Sequence, residues 1–432
     1  MERESNAVSM TPAPLAVAAA PRAPGPLGSV AREFLRRYRQ TLAMLRRSGL
    51  REVIGGLRSR LAGALSPGDA PLPVRLEDVL AADPRHPPSR PSLASAPGQP
   101  MVINWIMTPP ARGSGGHTTI FRIANALQAR GHANRVYFYD RHFGDHRYYE
   151  EIVRDYYGFK GLVGNIDQGM ADAHITMATG WPTVYPVFNS RSAGTRCYFV
   201  QDFEPSFHAT SSASVLAEAT YRMGFHGITA GRWLSRKLAQ DYGMSADHFD
   251  FGCDLDSYSL RPGDHPREGI CFYVRPSAAR RASELGMMAV ELFAQRRPHA
   301  EIHLYGDPVG KRGFEFIDHG HVTPAQLNDI YARCKAGLTL SLTNVSLVPH
   351  EMLASGCIPV VNDAEHNRIV LDNAFVHYAD LTPHALADAL EAVLDTPDFA
   401  SLSRSASASV RSQSWDDAAT AVETALRRLL SR

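Results

Sequence analysis

The stretch Ser341-Leu-Thr-Asn-Val-Ser-Leu-Val-Pro-His-Glu-Met-Leu-Ala-Ser-Gly-Cys-Ile-Pro-Val-Val361 decides how this chain is read. It leaves an apolar strand, crosses a polar loop, opens a helix on Glu351 and stops that helix at Gly356. It then enters a second apolar strand at Ile358. Pro349 suits a helix start, because its missing N–H would have no partner there. A polar loop that feeds a helix start gathers unpaired N–H groups and the positive end of the helix dipole, which is a place for an anion. Taken alone, the unit is an ordinary strand–helix–strand of an α/β protein.

Working outward, the same alternation repeats on both sides. Apolar strands are predicted at 269–274, 302–305, 337–340 and 358–361, with helices between them. An earlier series runs through 102–106, 135–139, 174–178, 197–200 and 227–230. Short apolar runs separated by helical patterns indicate parallel sheets. Two such series joined near 252–264, with Arg261-Pro262-Gly263 as the crossover, make two doubly wound domains facing a cleft. We place the first domain at 101–260 and the second at 261–400. The last helix, over 415–430, has Ala418, Val422, Ala425 and Leu429 on one face, and 401–432 is expected to pack back across the lobes.

Composition narrows the rest. Lysine plus arginine (45) nearly balances aspartate plus glutamate (44), for a net charge of +1, so no global field favours nucleic acid. Cys197, Cys253, Cys271, Cys334 and Cys357 form no CxxC pair and lie mostly in apolar runs, as reduced thiols of a cytoplasmic protein do. No metal site is expected: His142 and His146 lack a third ligand, and Asp254-Leu-Asp256 sits in the crossover as a linker feature.

Residues 1–100 form an extension: a Pro/Ala/Gly-rich tail over 1–28, two helical stripes, and a Pro-rich linker with a short ordered piece near 74–80. Nine arginines against two glutamates over 29–65 leave two readings open. The pair either lies peripherally on an anionic membrane face, here the inner one, or packs as a hairpin on the main body.

Three further segments carry chemistry. Gly113-Ser114-Gly115-Gly116-His117 follows the first strand and opens a helix, so backbone can approach a ligand closely. Gln201, Asp202 and Glu204 stand just past a strand's carboxyl end, where ligand crevices of open α/β sheets lie. Asp202 there can orient or activate a hydroxyl, or can satisfy its own loop. Arg275, Arg280 and Arg281 follow the first strand of the second domain and suit phosphate oxygens.

In this order, these segments resemble retaining GT-B glycosyltransferases of glycosyltransferase family 4, over residues 101–432. Within that family the likeness is greatest to the bacterial rhamnosyltransferase-type branch that builds cell-surface polysaccharides. The resemblance implies that Gly115 and Gly116 line the donor cleft and that Arg275, with Arg280 or Arg281, meets the leaving diphosphate. It implies that Thr343, Asn344, Val345 and Ser346 form the donor loop, with the N–H groups around Asn344 and Ser346 free for phosphate. Glu351 matches the second of two family glutamates and would hold ribose hydroxyls, while Thr343 stands where the first would be. Gln201 and Asp202 stand at a histidine–aspartate pair, with Asp202, Arg275 and Arg280 as catalytic candidates. The implied reaction moves a sugar, L-rhamnose from a dTDP donor, to a glycan or lipid-linked glycan without metal or other cofactor. A GT-B sugar-nucleotide epimerase and a non-catalytic sugar-nucleotide-binding protein are the alternatives.

Overall fold

The computed structural model describes residues 72–431, apart from 92, 94–97, 262–265 and 346. The helical stripes at 29–65, Ser346, and Pro262 and Gly263 of the expected crossover therefore lie outside the described residues. Two parallel sheets dominate the rest.

The first lobe opens with a short helix, α1 (Leu76–Ala81), and then alternates strands with helices except between β3 and β4. Its elements are β1 (Val102–Met107), α2 (Gly115–Ala129), β2 (Ala133–Phe138), α3 (His146–Glu151), β3 (Leu162–Asn165), β4 (Ile175–Ala178), α4 (Trp181–Asn189), β5 (Thr195–Val200), α5 (Ser212–Ala219), β6 (His226–Ala230), α6 (Arg232–Tyr242) and β7 (Ala246–Phe249). The strand order is β3-β2-β1-β4-β5-β6-β7, with β1 in parallel register against both β2 and β4. The chain moves outward first on one side of β1 and then on the other. That reversal leaves a crevice at the carboxyl ends of β1 and β4. The central strands β1 and β4 are buried along almost their whole length because both faces are covered. On one face Trp105, Phe199 and Phe249 form a chain of ring contacts at 5.6 and 5.2 Å. On the other, Tyr185, Tyr198 and Tyr221 pack with Val74. Val74 comes from the stretch expected to be a surface linker. It is buried at the edge of the short ordered piece expected near 74–80, where an apolar side chain packed on the tyrosine cluster is removed from water.

The second lobe repeats the plan with β8 (Ile270–Val274), α7 (Ser283–Arg296), β9 (Ile302–Gly306), β10 (Ile317–Asp318), α8 (Pro324–Arg333), β11 (Ala336–Leu338), α9 (Val348–Ala354), β12 (Ile358–Asn362), α10 (Glu365–Leu371), β13 (His377–Ala379), α11 (Pro383–Leu394) and α12 (Phe399–Ala408). Its order is β10-β9-β8-β11-β12-β13. The strand expected over 337–340 ends at Leu338, and the helix expected to open on Glu351 begins at Val348. Pro349 falls in its first turn, where its fixed φ suits the helix, so Glu351 is still a first-turn residue.

The final helix, α13 (Trp415–Leu430), returns to the first lobe. Its buried face of Ala418, Ala419, Val422, Ala425 and Leu426 lies against α2 and β7. Arg130 on the first lobe meets Glu423 at 3.1 Å, and the Cys253 N–H donates to the Gln413 carbonyl at 3.0 Å. All five cysteines are free and buried. Among the described residues no helix is long and apolar enough to cross a membrane.

Candidate active site in the interlobe cleft

The carboxyl ends of the two sheets meet across the cleft, and the sequence-predicted segments gather there. After β1 the chain turns at Gly113 with φ +74°, a conformation that suits glycine. Ser114 then caps α2, its Oγ accepting the His117 N–H at 3.5 Å. The loop is held from behind by Tyr157, whose hydroxyl donates to the Ala111 carbonyl at 2.6 Å. Gly115 has open space where a Cβ would point, and a Cβ on Gly116 would lie 3.5 Å from Gln201 Nε2. The glycine loop and the end of β5 are therefore neighbours.

Past β5, Asp202 and Glu204 take different roles. Asp202 faces the second lobe. Its Oδ1 accepts the Asn344 N–H at 2.8 Å, and its Oδ2 lies 3.2 Å from Arg280 Nε. Glu204 turns inward and is buried. It accepts the Trp181 N–H at 2.6 Å and the Tyr198 hydroxyl at 2.7 Å, which fixes the start of α4. Burial pushes its carboxyl up to about 7, against the pull of those two donors. It is a structural carboxylate behind the cleft wall.

The second lobe brings its arginines to the same place. Arg281 donates to Ser341 Oγ at 2.9 Å, and Arg275 to the Tyr273 hydroxyl at 3.0 Å. Burial pushes the Arg281 guanidinium down, Asp202 pulls it up, and the cations Arg280 and Arg275 push it down again. Three guanidiniums within electrostatic reach of one another form a site that an anion would relieve.

The donor loop departs from expectation. The Asn344 N–H was expected to be free for phosphate. It is instead bound by Asp202, and its side-chain amide donates to the carbonyls of Gln201 (2.9 Å) and Ala230 (2.8 Å). Val345 is only 5% exposed and packs in the apolar core. Thr343 is buried and its hydroxyl has no hydrogen-bond partner. Loop position in the sequence announced a ligand, but only the opposite lobe could show that Asn344 is already engaged. Behind the loop, Asn362 exchanges hydrogen bonds with the Ser341 backbone at 2.9 Å each way, and His366 Nε2 reaches the Ser341 carbonyl at 2.8 Å. Neither residue was singled out in the sequence, because one ends the next strand and the other lies in the helix after it, and each meets Ser341 only through the fold.

Glu351 sits apart from the arginines, on the side of Arg122, Asp254 and Tyr258. It keeps partial exposure, yet the surrounding protein pushes its carboxyl up to about 7, with Arg122 drawing it down and Asp254 adding to the rise. Arg122 and Asp254 are themselves paired at 2.9 Å, which makes Asp254 part of a bridge between α2 and the crossover. Among the described residues no group of three His, Cys, Asp or Glu is placed to hold a metal ion.

The family described as WsaF, C-terminal domain, matches residues 268–391, the second lobe. The O-antigen biosynthesis protein RfbC of Myxococcus xanthus is 31% identical over 344 residues, covering 74% of this chain. The chain spans about a quarter (26%) of that curated relative's length. Among solved structures, HepE of Anabaena in complex with UDP and glucose superimposes with a TM-score of 0.60 at 14% identity, covering 77% of this chain and all of HepE. The fold is GT-B. TarM gives a TM-score of 0.61 at 10% identity, covering 78% of this chain and all of TarM. A mutant of S. aureus TarM, solved with fondaparinux, α-GlcNAc-glycerol and UDP, gives 0.59 at 8% identity over 76% of this chain. At these identities the structures speak to fold, and the site must be argued from its own residues.

Proposed function

We propose that this protein is a retaining glycosyltransferase that moves a sugar from a nucleoside-diphosphate donor to a growing cell-surface glycan. The observation that carries this reading is that Arg280 pairs with Asp202 while Arg281 lies within electrostatic reach of Arg280, Arg275 and Asp202, in a GT-B fold whose Gly116 backbone neighbours Gln201 at the end of β5. A departing diphosphate gathers negative charge, and positioned cations lower the barrier by meeting it. Arg281 is anchored by Ser341 and so is already oriented. Glu351, in the first turn of the second lobe's helix α9, would accept hydrogen bonds from the ribose. The acceptor would attack on the face the diphosphate leaves, and the leaving phosphate would take the acceptor proton, giving retention. The glycan assignment is supported by the RfbC relative, whose name places it in O-antigen biosynthesis. For the donor we propose dTDP-L-rhamnose.

The test is a donor screen. A nucleotide sugar at about 100 times its Kd should stabilise the chain by roughly 2.7 kcal/mol. The stabilising donor should also release nucleoside diphosphate slowly without acceptor, and Arg281→Ala should reduce that release with the fold intact. A panel in which no dTDP, UDP or GDP sugar stabilises the chain or is turned over would overturn the reading. Thr343, neutral where the family carries a carboxylate, favours the second reading, a non-catalytic sugar-nucleotide binder. Donor stabilisation without any release, with or without glycan acceptors, would select it.

A further inference from the structure

We propose that Asp202 is a positioning residue: it seats the second lobe's donor loop on the first lobe and hands Arg280 over to the donor's diphosphate. This rests on the glycosyltransferase reading above. The carboxylate is divided atom by atom. Oδ1 accepts the N–H of its own neighbour Phe203 at 2.9 Å and, from the opposite lobe, the N–H of Asn344 at 2.8 Å. Oδ2 faces Arg280 Nε at 3.2 Å. Asn344 returns two hydrogen bonds to backbone carbonyls at the ends of β5 and β6, those of Gln201 and Ala230. Asn344 is fully buried, and Asp202 is 9% exposed. Three hydrogen bonds and an ion pair thus cross the cleft at one point. The acceptors on the first lobe are sheet-end backbone and a carboxylate fixed by its own loop, so the position of 341–345 is set by a rigid sheet.

Both Asp202 oxygens already have partners, Oδ1 two backbone N–H groups and Oδ2 the Arg280 side chain. The two kinds of contact also differ in firmness. The Asn344 bonds are buried and short. Arg280 pairs loosely: its Nε lacks a well-directed hydrogen bond, and its guanidinium keeps 29% exposure above the Phe207 ring at 4.4 Å. A diphosphate brings more charge than one carboxylate and can be met at two oxygens at once. It would take Arg280 and leave the Asp202–Asn344 contact in place.

Hydrogen exchange read by mass spectrometry on the ligand-free full chain tests the seating. In Asn344→Ala, amides in 201–204 and in 341–345 should both exchange about two- to tenfold faster, as expected for losing modest net hydrogen bonds. Faster exchange confined to 341–345 would overturn the seating role. The handover is tested by calorimetry with dTDP and UDP on Asp202→Asn, which keeps shape and an oxygen for the Asn344 N–H. Freed of a partly exposed ion pair, this variant should bind the nucleotide about two- to fivefold tighter. The gain should vanish when Arg280→Ala is added. Unchanged or weaker nucleotide binding in Asp202→Asn, with slower transfer, would mean that Asp202 acts on the acceptor and would sink the proposal. A wild-type chain that binds neither nucleotide would count against the glycosyltransferase reading, and the exchange experiment would still judge the seating.

Discussion

Glu351 carries the clearest pH-dependent expectation at the residue scale. Its carboxyl is raised to about 7 by burial, with Arg122 opposing and Asp254 adding. A ribose hydroxyl donates better to the charged form. Nucleoside-diphosphate affinity should therefore rise as pH goes from 6 to 8, and Glu351→Gln should both weaken binding and flatten that rise. Calorimetry at the two pH values measures it; an equal slope in wild type and variant would show that the carboxyl does not face the nucleotide. The stability effect has the opposite sense. A carboxyl whose folded pKa lies above its unfolded value contributes stability that is fully present below about 4.5 and lost as pH rises through 7. Glu204, raised for the same reason, adds to that loss.

At the scale of elements, α13 shows how a helix is fixed to a lobe it follows by a whole domain in sequence. Its apolar face supplies the burial, and charges at its rim set the register. Burial alone would push the Glu423 carboxyl up, but the close His132 ring at 3.1 Å and hydrogen bonds from Arg427 and Arg130 hold it at about 2. Its folded pKa is depressed, so its contribution is present above about 4.5 and lost as pH falls towards 2. Thermal unfolding should show wild-type Tm falling more steeply than that of Glu423→Gln between pH 5 and 3. Parallel curves would show that the ion contacts of α13 do not matter to stability.

At the scale of the whole molecule, the two lobes touch through more than the Asp202–Asn344 contact. Trp233 on α6 meets His366 on α10 at 5.3 Å, and His366 in turn holds Ser341. Gly231, at φ +86°, lets α6 approach α10: a Cβ there would fall 2.9 Å from Val370 Cγ2. Gly231→Ala should lower Tm and weaken nucleotide binding together, by about 1–3 kcal/mol in stability for overpacking plus backbone strain. Adding Val370→Ala removes the clash but not the strain, so it should restore part of the loss. A double variant no better than Gly231→Ala would place the whole cost in the backbone.

The alternation of apolar runs with helical patterns was enough to predict two parallel sheets, because strands covered on both faces must be continuously apolar. Punctuation by Gly113, Pro349 and Gly356 placed the loops to within a few residues, since each residue type restricts backbone geometry locally. Arg275, Arg280, Arg281 and Glu351 were singled out because their positions match the motifs of the family this chain resembles, and their roles belong to the proposed function. What the sequence could not contain was who faces whom. Val74 enters the first lobe's core beside Tyr185, Tyr198 and Tyr221. Glu204 turns inward while Asp202, two residues earlier, turns out. The Asn344 N–H, free by local rules, is bound by a carboxylate 142 positions earlier. Local rules depend on neighbours within a few residues, whereas these contacts depend on how two separately wound sheets meet, and only the tertiary structure decides that.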